Sequence, residues 1–207
     1  MRDALHRPMV APPSIDRARA LDTALWVFIA VAGVLFALFL AAYAMRIQAP
    51  DWTPIALPSR LWAGAAALLA ASVLLELGAR AARAGRLERA RGSVLAAGAA
   101  GAAFLLAQTW AWQALLEAQV GLAAHPAASF FYLLSGLHGV HVIGGLIAWS
   151  LVAPPLWSTD PREATAGAWR VALCARYWHF LLVLWGVLVA ALGWVTPELV
   201  RAICGWD

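Results

Sequence analysis

Five apolar runs dominate this chain, and each is long enough to restrict the fold to one kind. They fall near residues 24–45, 58–79, 92–115, 127–151 and 171–195. Crossing the roughly 30 Å hydrocarbon layer of a bilayer takes about 20 helical residues, so each run can span it once. Within that layer no water is available to backbone N–H and C=O groups, and a helix satisfies them within itself. Composition agrees, with 63% hydrophobic residues, a mean hydropathy of +0.75 and only 13% charged residues. A soluble chain carries roughly 25% charged residues. The expected fold is therefore all-α: a polytopic membrane protein of five transmembrane helices. It divides into a tail over 1–22, a membrane domain over 23–196 and a short tail over 197–207.

The charges set an orientation. All fifteen basic residues are arginine. Arg2, Arg7, Arg17 and Arg19 precede the first run; Arg80, Arg83, Arg86, Arg89 and Arg91 follow the second; Arg162, Arg170 and Arg176 precede or open the fifth. Only Arg46, Arg60 and Arg201 fall on the other side. Twelve against three predicts the N-terminus inside and the C-terminus outside by the positive-inside rule. The same placement assigns the net charge of +4 to a membrane face and not to nucleic acid. The first twenty or so residues lack a short apolar core followed by a small-residue cleavage site, and read as a cytoplasmic lead. Asp22 and Thr23 are expected to cap the first helix. Cys174 and Cys204 are expected on opposite sides of the bilayer, too far apart to bridge.

Polar side chains inside the runs carry what chemistry there is. Residues 130–149 (FFYLLSGLHGVHVIGGLIAW) hold His138 and His141, three apart and so on nearly one helix face. Ser135 and Gly139 form a small-xxx-small pair that predicts a close helix approach. Residues 176–185 (RYWHFLLVLW) add His179. At about 1.5 Å rise per residue, His141 and His179 share a depth of about 12 Å, which predicts them as hydrogen-bonding neighbours on facing helices. Three readings are open for the histidines: polar contacts between helices, a copper or zinc site, or haem ligation. No supporting carboxylate is expected beside them, because Glu76 and Glu117 fall near span ends. The spans carry no chain of charged residues and no inverted repeat, which argues against a pump, channel or coupled transporter. Trp26, Trp178 and Trp185 sit inside spans and are expected to pack.

Two motifs in order resemble subunit III of the haem–copper oxidases in its five-helix bacterial form. That family carries Gly-Phe-His-Gly-Leu-His-Val-Ile-x-Gly, and this chain reads Gly136-Leu137-His138-Gly139-Val140-His141-Val142-Ile143-Gly144-Gly145. The family's last helix carries Tyr-Trp-His-Phe and a later Trp, here Tyr177-Trp178-His179-Phe180 and Trp185. Weaker echoes, Trp26-Val27-Phe28-Ile29, Ala41-Ala42-Tyr43 and Phe104-Leu105-x-x-Gln108, extend the likeness over nearly the whole chain. Three family carboxylates are missing, where Ala32, Ala111 and Leu182 stand. The resemblance implies a non-catalytic accessory subunit in a bacterial inner membrane, with no cofactor of its own. Haem and copper would sit in a catalytic subunit I against which it packs. It also implies lipid in a cleft between helix groups and support for sustained proton uptake. Arg80, Arg83 and Arg176 are then the candidates for a phospholipid headgroup, and His138, His141 and His179 for interhelical contacts. The alternatives are an accessory subunit of nitric-oxide reductase, or a membrane protein that handles metal or haem during assembly.

Overall fold

The computed structural model describes residues 15–158 and 167–195, with side chains from residue 18 onward. The expectations for the tail with Arg2, Arg7 and Arg17, for Arg162, and for the C-terminal segment with Arg201 and Cys204 lie outside these residues. Among the described residues, five helices are long and apolar enough to cross a membrane. They are α1 (Ile15–Arg46), α2 (Arg60–Arg83), α3 (Leu87–Glu117), α4 (Pro126–Val152) and α5 (Ala168–Trp194), with a single 3-10 turn (Pro154–Trp157) after α4. Among the described residues there is no strand.

The helices outrun the apolar stretches, because Arg, Ala and Leu at their ends are good helix formers. Asp22 and Thr23 therefore lie inside α1 and do not cap it. Arg80 and Arg83 occupy the last turn of α2, where the helix dipole favours a cation. The link to α3 is a tight reversal. Gly85 takes φ 72°, and Arg86 N–H returns to the Ala81 carbonyl at 2.9 Å. That left-handed position suits glycine because it lacks a Cβ. At the far end, His125 caps α4: its Nδ1 accepts from Ala128 N–H at 3.3 Å, and Pro126 needs no partner there. Between α1 and α2, Arg46 grips Asp51 through two bonds of 2.6 and 2.5 Å, which holds the Asp51 carboxyl below the usual carboxylate range.

The helix pair α2 and α3 packs most extensively, α5 lies across α2 and α4, and α1 stands at the edge against α4 and α5. The core between them is built from Leu68 and Leu75 of α2, Phe104 of α3, Phe131 and Leu134 of α4, and Trp178, Leu181 and Leu188 of α5. Glycines seat its indoles. A Cβ at Gly98 would strike the Trp149 ring, whose Nε1 donates to the Val94 carbonyl at 2.7 Å. A Cβ at Gly101 would strike Trp178, and one at Gly145 would lie 3.3 Å from it. Of the expected small-xxx-small pair, Ser135 meets α3 through its side chain, its Oγ accepting from Trp112 Nε1 at 3.1 Å. Around Gly139 a Cβ would meet nothing within 4 Å. Trp178 and Trp185 are buried as expected, but Trp26 is 53% exposed and lies under the Arg176 guanidinium at 5.7 Å.

Candidate functional site

The three motif histidines point to three different neighbours. His138 is fully buried, packed against the rings of Phe104 and Trp185. Its Nε2 donates to the Leu181 carbonyl of α5 at 3.1 Å, since a carbonyl can only accept. His141 donates Nδ1 to the carbonyl of Leu137, one turn back in its own helix, at 2.8 Å. Its ring faces α1, 5.4 Å from Phe36 and 6.1 Å from Phe28. Its own backbone carbonyl accepts from the Tyr177 hydroxyl of α5 at 3.0 Å. His179 turns to α2, with Nδ1 bonded to Ser72 Oγ and Nε2 3.7 Å from Glu76.

The pairing expected between His141 and His179 is therefore not formed. The two side chains leave their helices in different directions. Tyr177 faces α4, and two residues further along a helix the side chain has turned about 200° away. His179 instead meets Ser72, at mid-length of α2, with Glu76 one turn nearer the arginine-rich end. Glu76 accepts from Arg80 Nε at 2.7 Å and lies 3.8 Å from Arg83. The expectation that no carboxylate stands near the histidines is corrected by this contact. Its signal was present in the sequence: Ser72 and Glu76 are four apart and share one face of α2. Among the described residues, no group of three or more His, Cys, Asp or Glu could hold a metal ion.

The headgroup candidates separate in the same way. Arg80 is engaged by Glu76. Arg83 and Arg176 line a cavity of about 420 Å³ with Asp22 and Trp169, and Asp22 is bonded to Arg176. A second, mainly apolar cavity of about 460 Å³ shares Trp169 and Leu173 with it. That cavity runs between α1, α4 and α5 along Leu25, Phe28, Ala148 and Tyr177. Ala32 and Ala111, two positions where the sequence resemblance lacks a carboxylate, are buried.

A bundle of five apolar helices, tied by histidine, serine and tyrosine contacts along their middle turns, defines a polytopic helical membrane protein. No protein-family profile matches the chain. Individual relatives do. A probable cytochrome c oxidase subunit 3 of Mycobacterium tuberculosis is 32% identical over 120 residues, 57% of this chain and 57% of the relative. One from Nocardia farcinica is 33% identical over 97 residues, 46% of each chain. The cytochrome c oxidase subunit 3 of Synechocystis is 36% identical over 92 residues, 44% of this chain and 37% of that one. The matches thus span about half the length of the curated relatives. Over that part the chain is similar to proteins named cytochrome c oxidase subunit 3.

Proposed function

We propose that this chain is a non-catalytic accessory subunit of a respiratory haem–copper oxidase in a bacterial inner membrane. The arginine-rich end faces the cytoplasm, and a larger catalytic subunit I, which carries the haem and copper, covers part of the apolar exterior. The observation that carries this reading is the likeness to cytochrome c oxidase subunit 3 of three bacteria, joined to what the motif histidines do. His138 and His179 each bond a different helix and act as polar ties between spans, while His141 bonds within α4 and packs its ring on α1. The apolar exterior of α1, with Val27, Val31, Val34 and Leu38 all more than half exposed, suits lipid or another membrane subunit. The two cavities that meet at Trp169 and Leu173 suit a phospholipid, with its phosphate between Arg83 and Arg176 and an acyl chain along Leu25 and Phe28. Guanidinium groups bind phosphate through two parallel bonds. Deleting the chain should leave the haem spectrum of the oxidase unchanged while shortening its sustained turnover or lowering its assembled amount. An altered haem spectrum, or unchanged assembly and turnover, overturns the proposal.

A further inference from the structure

Between α3 and α4 the bundle buries polar atoms that find no partner in the protein. Gln108 of α3 is 4% exposed, and neither Oε1 nor Nε2 of its amide meets a hydrogen-bonding group. His138 spends its Nε2–H on the Leu181 carbonyl, which leaves Nδ1 as an unpaired acceptor. Trp185 keeps its Nε1–H unpaired as well. His138 and Trp185 are neighbours. The His138 and Trp185 rings are 4.9 Å apart, Phe104 touches both at 5.4 and 5.1 Å, and Gln108 stands one turn beyond Phe104.

The helix register adds room. Trp149 meets Gly98 and Leu146 meets Gly101, so each step of three along α3 is answered by three steps back along α4. The contact between Trp112 and Gly136 keeps nearly the same register at the far end. Carried along both helices, that register would bring Gln108 to the level of Gly139. Gly139 is buried, yet a Cβ built there would meet nothing within 4 Å. Open space thus lies at Gly139, next in sequence to His138, at the level where the register would bring the unpaired Gln108 amide.

We propose that this space is an internal hydration site, holding one or two water molecules beside Gly139, bonded to the Gln108 amide and to His138 Nδ1. An apolar cavity of this kind stays dry, but polar walls change the balance. A buried water typically makes about three hydrogen bonds to groups that otherwise lack partners. Here a water can accept from Gln108 Nε2–H and donate to Gln108 Oε1 or His138 Nδ1, and the Trp185 N–H offers a further donor. Without it these groups would stand unpaired in a core that is itself surrounded by hydrocarbon. The glycine then has a purpose unrelated to close helix packing: a methyl at position 139 would occupy the volume the water needs. The bound water would also hold the His138 ring in the orientation that ties α4 to α5.

The test uses the full chain, labelled with nitrogen-15, in lipid bilayers, with bulk water as the probe. Water-edited solid-state NMR should show polarisation passing from water to the Gln108 side-chain amide and the His138 ring. Gly139→Ala should remove most of that transfer and lower the melting temperature. A dry void predicts the opposite sign, because a methyl would fill it and alanine is the better helix former. Gln108→Met, apolar and of similar length, should abolish transfer to His138 and keeps the question decidable if Gly139→Ala does not fold. Absence of transfer in the wild type overturns the proposal, as does transfer that survives both substitutions. Neither outcome bears on which larger subunit the chain accompanies.

Discussion

Gly101→Ala should destabilise the bundle, although the same exchange in an open helix stabilises it. A Cβ at Gly101 would collide with the Trp178 ring, coming 2.9 Å from Cζ3, and would press on Leu146 Cδ2 at 3.1 Å. Trp178 is 0% exposed and is already confined by Gly145 on its other side, so it has little room to yield. Forcing a methyl into a filled core costs about 1–3 kcal/mol. Exchanging glycine for alanine inside a helix returns about 0.5–1 kcal/mol. The net loss is on the order of 1 kcal/mol, or a fall of about 2–4 °C in melting temperature for a chain of this size. Gly186→Ala, on the same helix as Trp178, meets nothing within 4 Å and should raise the melting temperature slightly. Thermal unfolding in mild detergent, followed by tryptophan fluorescence, reads both. Combining Gly101→Ala with Trp178→Phe should recover part of the loss, because the smaller ring vacates the contested space. The reasoning fails if Gly101→Ala and Gly186→Ala shift stability in the same direction.

Three further expectations address the ties, the orientation and the lipid. Ser72→Ala removes the bond between α2 and His179 and should cost about 0.6 kcal/mol, seldom above about 1.7, by the same unfolding assay; a loss of several kcal/mol would mean that Ser72 does more than hold His179. A reporter active only in the periplasm, fused after Asp207, should be active, and a silent fusion with full expression would reverse the orientation. Replacing Arg83 and Arg176 together with Gln should reduce the phospholipid retained through purification, measured by mass spectrometry of the extracted lipid. Arg80→Gln should not, since Arg80 is held by Glu76 outside that cavity; equal retention in the double variant would dismiss the headgroup assignment.

The five helices were legible because hydropathy over twenty residues is a property of the segment and needs no knowledge of its neighbours. Azimuth was not. His141 and His179 were expected at one depth from the fixed rise per residue, but which helix each side chain faces depends on how the bundle is assembled, and no single segment contains that information. The same limit explains Trp26, which is placed within a span by sequence and on the outside of the bundle by packing. Glu76 reads as an interfacial residue because it falls near the end of the second span. Its contact with His179 needed α5 to lie across α2, a pairing of segments about a hundred residues apart. The glycine seats show a further gap. A small-xxx-small spacing marks where two helices can approach, but Gly98 and Gly101 serve indoles and Gly139 faces open space. Capping at α4 could have been found, as His125 followed by Pro126 is a plausible helix start.

Isolation of the tagged full-length chain in mild detergent, with subunit identification and a haem and copper assay of the eluate, tests the accessory-subunit account most directly. The account predicts a larger haem–copper catalytic subunit in stoichiometric amount, with all haem and copper leaving with that subunit when harsher detergent separates the two. Haem or copper that stays on the separated chain, and is lost on changing His138, His141 or His179, would contradict it.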